Sequence, residues 1–262
     1  MALSEEIVVR EARNVVSTGA PRRRQASYGI DAPYLLPIPA ALIVANVVQG
    51  VVTGSAWPFL AAAAVTACMG CGLYTSLRGK FAVWGELLDR LGLRGDEEVL
   101  DLGCGRGAVL LLAARRLTTG RAVGVDLWRR ADQSGNAAEA TRRNARAEGV
   151  ADRVALFTAD VAALPFAEGS FDFVLSSVAF HNIKSRAGRD RAIGEAVRVL
   201  RPGGRLMIAD IFATGRYRDR LAELGMIDVA RRGLGWRMWW SGPWLPTVLV
   251  TATKPPAPGR RR

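Results

Sequence analysis

From Ala32 to Leu77 the chain runs for 46 consecutive residues without an Asp, Glu, Lys or Arg. All 60 charged residues therefore fall in the other 216. A single soluble domain spreads charge over its whole surface, and a disordered chain lacks an apolar content of one half. What remains is a membrane-embedded segment joined to a soluble domain of about 180 residues, long enough to bury a full core.

Two apolar stretches fit in the run, Leu35 to Thr53 and Trp57 to Leu77. Each is close to the ~20 residues that a helix needs to cross a bilayer. Only Gly54, Ser55 and Ala56 separate them, which predicts an antiparallel helical hairpin. Small residues at four-residue spacing, Gly50 with Gly54 and Ala62, Thr66 with Gly70, would let the two helices approach closely. A buried or re-entrant hairpin is the other reading of such a stretch. Arg22 to Arg24 precede the run, Arg78 and Lys80 follow it, and the connecting turn has no charge. The positive-inside tendency then puts both ends in the cytoplasm. The expected organisation is a cytoplasmic segment over 1–32, a two-helix hairpin over 33–77, a soluble domain over 78–254 and a disordered basic tail over 255–262.

The net charge of +12 carries less information, because Arg outnumbers Lys by 33 to 3, as a GC-rich genome would dictate. Cys68, Cys71 and Cys104 offer no disulfide framework. The first two form C-x-x-C inside the apolar run and read as small packing residues. A cleavable leader is not expected, since the apolar run starts after more than thirty residues. No His, Cys or Asp cluster has metal-ligand spacing, so no metal is expected.

Beyond the hairpin, Phe81, Trp84, Leu87, Leu88 and Leu91 fall at helical spacing and end near Gly92. Short apolar strands and amphipathic helices then alternate. Strands are predicted over 98–102, 122–127, 154–158, 171–176 and 205–212, and helices over 108–117, 136–148, 189–200 and 217–224. Two closing strands are predicted over 227–231 and 247–253. This alternation makes an α/β domain with a mainly parallel sheet covered on both faces, whose ligands bind at the carboxyl ends of the strands.

At the first of those ends the chain reads Val99-Leu-Asp-Leu-Gly-Cys-Gly-Arg-Gly107. Gly103, Gly105 and Ala108 satisfy a dinucleotide fingerprint, and Asp126 lies near the spacing of a ribose-binding acid. A nicotinamide-dependent oxidoreductase is therefore one reading. Asp101 opposes it, because a carboxylate ahead of the glycines repels a pyrophosphate and favours a cationic amino-acid moiety. Asp126 closes the second strand in Gly124-Val-Asp-Leu-Trp128, and Asp160 closes the third in Thr158-Ala-Asp-Val161. Phe171 to Ser177 forms the fourth, and Leu200-Arg-Pro-Gly-Gly204 turns into the fifth.

Over residues 80 to 254 this succession resembles the class I S-adenosylmethionine-dependent methyltransferases that act on small molecules and lipids. The resemblance implies a Rossmann-like, seven-stranded, mostly parallel sheet whose last strand is antiparallel, here preceded by a transmembrane hairpin. It implies S-adenosyl-L-methionine as cofactor. Asp101, Gly103, Gly105 and Gly107 would surround the methionine part and Asp126 the ribose. Asp160 and Val161 would meet the adenine beside Leu127, and Ser176 completes the cofactor set. His181, the only histidine, follows the fourth strand where such enzymes place the acceptor. It is a candidate base or a residue that shapes the loop.

An Asn-Pro-Pro-Tyr-type motif is absent there, so nucleic-acid bases and protein amides are disfavoured as acceptors. Four Trp within Trp236 to Trp244, close to Arg231, Arg232 and Arg237, suit a sheet-edge hairpin, a membrane interface or stacking on single-stranded nucleic acid. The anchor favours the second. The expected protein is a multi-pass enzyme of the cell membrane with a cytoplasmic catalytic domain, methylating a small apolar or lipid-like acceptor. A nicotinamide oxidoreductase and an RNA-directed methyltransferase stand as alternatives. No nucleic-acid partner is expected, since no RNA-binding module is visible.

Overall fold

A computed structural model of the protein describes residues 26–257. Arg22 to Arg24 and the arginines at 260–262 lie outside the described residues. Two helices open the fold, α1 over Pro37–Thr53 and α2 over Trp57–Tyr74. Gly54, at φ 63°, closes α1 in the left-handed conformation that glycine adopts without steric cost. Gly50 takes the Phe59 ring of α2, and Ala62 is buried beside it, so the hairpin closes through small residues as the sequence suggests. Gly70 has nothing within 4 Å of where a Cβ would stand and does not contribute. The outward faces are bare aliphatic surface, with Val52 at 79% exposure.

The second apolar stretch does not end at Leu77. It continues through a π-helical turn, Thr75–Gly79, into α3, Lys80–Leu91, as one helix of 35 residues. The linker helix and the second apolar stretch are therefore a single rod, which halves separated by charge do not reveal in sequence. Lys80, expected to flank the span as a surface cation, is 5% exposed and pairs with Asp31 at 2.7 Å. Arg78 alone of the two is free to face outward.

The sheet comprises β1 (Glu98–Leu102), β2 (Arg121–Asp126), β3 (Val154–Thr158), β4 (Phe171–Ser177), β5 (Leu200–Asp210), β6 (Ile227–Gly233) and β7 (Val248–Thr253). Their order is 3-2-1-4-5-7-6, with β7 antiparallel to both neighbours, as expected. Four further helices are α4 (Ala108–Ala114), α5 (Ala138–Glu148), α6 (Arg186–Val199) and α7 (Thr214–Glu223). α6 starts three residues before the apolar pattern, because Ser185 caps it by accepting from the Gly188 amide at 3.0 Å. β5 starts at Leu200 rather than Arg205 and carries Pro202-Gly-Gly204 through a register shift against β4.

Alternate strand residues feed two cores. One holds Trp84, Leu88, Leu110 and Leu249 under α3 and α4, and the other holds Phe180, Ile193, Tyr217 and Val250 under α6 and α7. Burying each such side chain stabilises the fold by about 1.5–3 kcal/mol before conformational entropy is counted. Trp84 extends from this core to the strand ends, its indole N–H donating to Ser177 Oγ at 2.9 Å. The long helical rod is thereby fixed to the last residue of β4.

Candidate active site

The parallel strands deliver Asp101, Asp126, Ser177 and Asp210 to one edge of the sheet. Strain marks the same edge. Trp128, Val178 and Ala213 follow β2, β4 and β5 at φ of 57°, 54° and 57°. A β-branched residue such as Val178 rarely adopts that conformation, and residues held there cost on the order of 1–3 kcal/mol. Tight strand-to-loop reversals after β2, β4 and β5, with the glycine loop after β1 between them, bound a crevice at the strand ends.

The glycine loop lines the crevice. Gly103, at φ 74°, has the Ala179 Cβ where its own would stand, and Gly105, at φ 50°, has the Gln133 side-chain oxygen there. A side chain at Gly103 would strike the loop after β4, and one at Gly105 the loop after β2. The Gly105 amide donates to Asp126 Oδ2 at 2.8 Å, and the Arg106 amide donates to Gln133 Oε1 at 2.8 Å. Gly107 caps α4 and packs on Leu111 and Thr141, so it supports the helix rather than facing the crevice.

Asp101 is the anomaly of the site. It is 1% exposed and neither carboxylate oxygen has a hydrogen-bond partner. Burial, with a smaller push from Asp126, raises its pKa to about 7, while the Leu110 amide pulls the other way. A buried carboxyl with only the Leu110 amide nearby, and no donor in hydrogen-bonding geometry, is costly and marks a place built for a cation or donor supplied from outside. This is the group that an amino-acid ammonium would satisfy, and the residues present fit that cofactor.

The other expected contacts are spread along the same edge. Asp126 accepts from the Trp128 and Gly105 amides and from Asn136 Nδ2, which fixes the carboxylate at the end of β2. Leu127 beside it is 44% exposed. Asp160 and Val161 lie past β3, Asp160 exposed and accepting from the Ala162 amide at 2.9 Å. Ser176, expected in the cofactor set, is buried, and its hydroxyl donates to the Leu102 carbonyl at 2.8 Å, bracing β4 against β1.

His181 stands in a short helical turn, Phe180–Asn182, after β4. Its Nδ1 lies 2.6 Å from Asp210 Oδ1, and its amide donates to Oδ2 at 2.9 Å. Asp210 also accepts from the Ile211 amide and the Tyr217 hydroxyl. With Nδ1 turned to this carboxylate, the ring donates from Nδ1 and leaves Nε2 as the acceptor. Asp210 was not among the sequence candidates. Its signal was available: it is another acid at the carboxyl end of a parallel strand.

A family model described as a methyltransferase domain matches residues 100–208. Methyltransferase GfsG of Streptomyces halstedii is 40% identical over 134 residues, covering 51% of this chain and 45% of that protein. The ubiquinone/menaquinone biosynthesis C-methyltransferase UbiE of Roseobacter denitrificans is 34% identical over 133 residues, half of each chain. A demethylmenaquinone methyltransferase of Thermus thermophilus is 35% identical over 117 residues, 45% of this chain and 48% of that one. The chain thus matches about half the length of these curated relatives or less.

Among solved structures, geranyl diphosphate methyltransferase in complex with SAM superposes with a TM-score of 0.54 at 19% identity, covering 66% of this chain and 85% of that one. The [4+2]-cyclase SpnF gives 0.54 at 20%, with 66% and 82% covered. These likenesses establish the fold. Residues 100–208 match the methyltransferase-domain model, and they span β1 to β5 of the seven-stranded sheet.

Proposed function

We propose that this chain is a membrane-anchored S-adenosylmethionine-dependent methyltransferase that acts on a small apolar or lipid-like acceptor at the cytoplasmic face. The observation that carries the reading is the orphaned, fully buried Asp101 carboxyl at the mouth of the glycine loop. It would hold the ammonium of the methionine moiety. Asp126 would take the ribose hydroxyls, and Asp160 with Val161 the adenine edge against Leu127. The bound cofactor supplies an electrophilic methyl group to an in-line displacement. The chain's own contribution is to orient the acceptor and exclude water. His181, its Nδ1 held by Asp210, presents Nε2 to take a proton from the acceptor.

Two relatives named for quinone methylation support an apolar acceptor. The aliphatic outer faces of α1 and α2 support the anchor, since an exposed Val and Leu surface of this extent is stable in lipid. Calorimetric titration tests the cofactor: S-adenosylmethionine is expected to bind and NADH not, and the reverse result would overturn the reading. For the catalytic assignment, His181→Ala is expected to leave S-adenosylmethionine affinity unchanged while methyl transfer falls about 10²–10⁴-fold. Undiminished transfer would leave His181 as a loop residue only. Washing membranes with alkaline carbonate tests the anchor, with retention in the pellet expected.

A further inference from the structure

Trp and Tyr collect at both water-facing levels of a bilayer-spanning helix. On α2, Trp57 stands exposed at one end and Tyr74 at the other. The helical rise between them is about 26 Å, close to the thickness of the hydrocarbon layer. Tyr34, exposed at the start of the hairpin, falls at the Tyr74 end because the two helices are antiparallel. The foot of the hairpin therefore has an aromatic level of its own.

Residues far along the chain complete that level. Trp236 stacks on Tyr74 with ring centroids 5.2 Å apart. The loop that carries it, between β6 and β7, is latched to the π-helical turn. Thr75 Oγ1 donates to the Trp239 carbonyl at 2.6 Å, and the Arg237 carbonyl occupies the place of a Gly79 Cβ. Arg237 also donates to both oxygens of Glu86. So held, the loop leaves Trp236 61% and Trp244 69% exposed. A second loop, after β2, reaches the same foot. The Ala32 amide donates to the Asp132 carbonyl, and Gln133 donates to Asp31 Oδ1, whose other oxygen takes Ser76 and Lys80. This loop bears Arg129 and Arg130, exposed and, like Arg78 on the turn, without an ion pair among the described residues.

We propose that these two loops and the hairpin foot form an interfacial collar that seats the carboxyl-end edge of the sheet on an anionic lipid surface, so that the acceptor is an amphiphile taken from that leaflet. The proposal rests on the membrane reading above and adds the orientation of the domain. Bare indoles prefer the headgroup boundary, and unpaired arginines complement its negative charge. The β6–β7 loop leads directly into Val248, which pairs with Asp210, the carboxylate that holds His181. Phe212, 56% exposed and with its ring 6.3 Å from that of His181, stands on the same rim. Headgroup level and acceptor entrance therefore coincide.

The test uses the full chain reconstituted in vesicles of phosphatidylcholine and phosphatidylglycerol, with lipids brominated either near the headgroup or near the chain end. Trp57→Phe removes the indole at the far end of the hairpin, and Trp236→Phe with Trp244→Phe is added to it. The shallow quencher is expected to dim the Trp57→Phe protein about two-fold more than the triple variant, with no such difference for the deep quencher. Equal shallow quenching, in protein that resists carbonate, would overturn the collar and leave the two indoles for a protein partner. Release by carbonate would remove the anchor itself and the collar with it. A nitroxide on Pro243→Cys, in a chain with Cys68→Ala and Cys71→Ala, reads the depth with both indoles intact. Relaxation by oxygen in excess of a water-soluble nickel chelate is expected, and the opposite order would overturn the proposal.

Discussion

Asp101 converts burial into a pH dependence that can be measured. Its carboxyl titrates at about 7 in the cofactor-free fold against an ordinary 3.8. A raised acid favours folding while it is protonated, so its contribution is complete below about pH 4 and is lost as pH rises through about 7. Binding an ammonium needs the opposite state. Uptake of S-adenosylmethionine below about pH 7 must therefore release a proton, and affinity is expected to climb toward pH 7 and level off above it. Asp101→Asn removes the titration. Its affinity is expected to fall about 10–100-fold above pH 7, as for a lost hydrogen bond to a charged group, and its pH slope to vanish. Calorimetric titration from about pH 6 to pH 8 reads both, and a wild-type profile in the variant would remove the ammonium assignment. At this scale the sequence was legible where an acid ends an apolar strand, as at Asp101 and Asp126. It was silent on Ser176, because which face of a strand meets a neighbour's carbonyl depends on register. It was silent as well on the pairing of His181 with Asp210, which are joined only when β4 and β5 lie side by side.

At the level of elements, β1, β2, β4 and β7 matched their apolar runs closely, since at least half of each is buried in the middle of the sheet. The long rod from Trp57 to Leu91 did not separate so simply. Arg78 and Lys80 read as the end of a span, yet a helix passes from lipid to protein without a break when its next turn finds a protein surface to pack on. That surface is the β6–β7 loop, and Gly79 is the contact that decides it. An added Cβ would overlap the Arg237 carbonyl oxygen, a clash that only backbone movement relieves. Gly79→Ala is therefore expected to destabilise the fold by about 1–3 kcal/mol or more. Gly70→Ala on the same rod meets open space and should be neutral or stabilising by up to about 1 kcal/mol through helix propensity. Thermal unfolding of the detergent-solubilised chain compares the two. Equal shifts in Tm would mean that the loop does not clamp the rod.

For the molecule as a whole, the hairpin and the site are one problem in placement. The rod reaches from Trp57 to the Ser177 end of β4, and Asp31 joins the hairpin foot to the loop that touches Gly105 through Gln133. If the hairpin is the membrane anchor proposed above, this tie determines on which side of the bilayer the site lies. With Lys80 buried against Asp31, the sidedness rests on Arg78, Arg129 and Arg130 at the foot, set against a turn of Gly54, Ser55 and Ala56 that has no charge. On the membrane reading proposed above, that turn faces the outside. Ser55→Cys, in a chain with Cys68→Ala and Cys71→Ala and with Cys104 buried, gives a single accessible thiol there. In intact cells a membrane-impermeant maleimide is expected to label it, whereas a cysteine at the exposed Arg130 should react only after the membrane is opened. Labelling of position 130 alone in intact cells would invert the topology and put the methyl-transfer site on the outer face. Protection of both positions until the membrane is opened would mean a re-entrant hairpin, because a turn that never crosses leaves both of its flanks and itself on the cytoplasmic side.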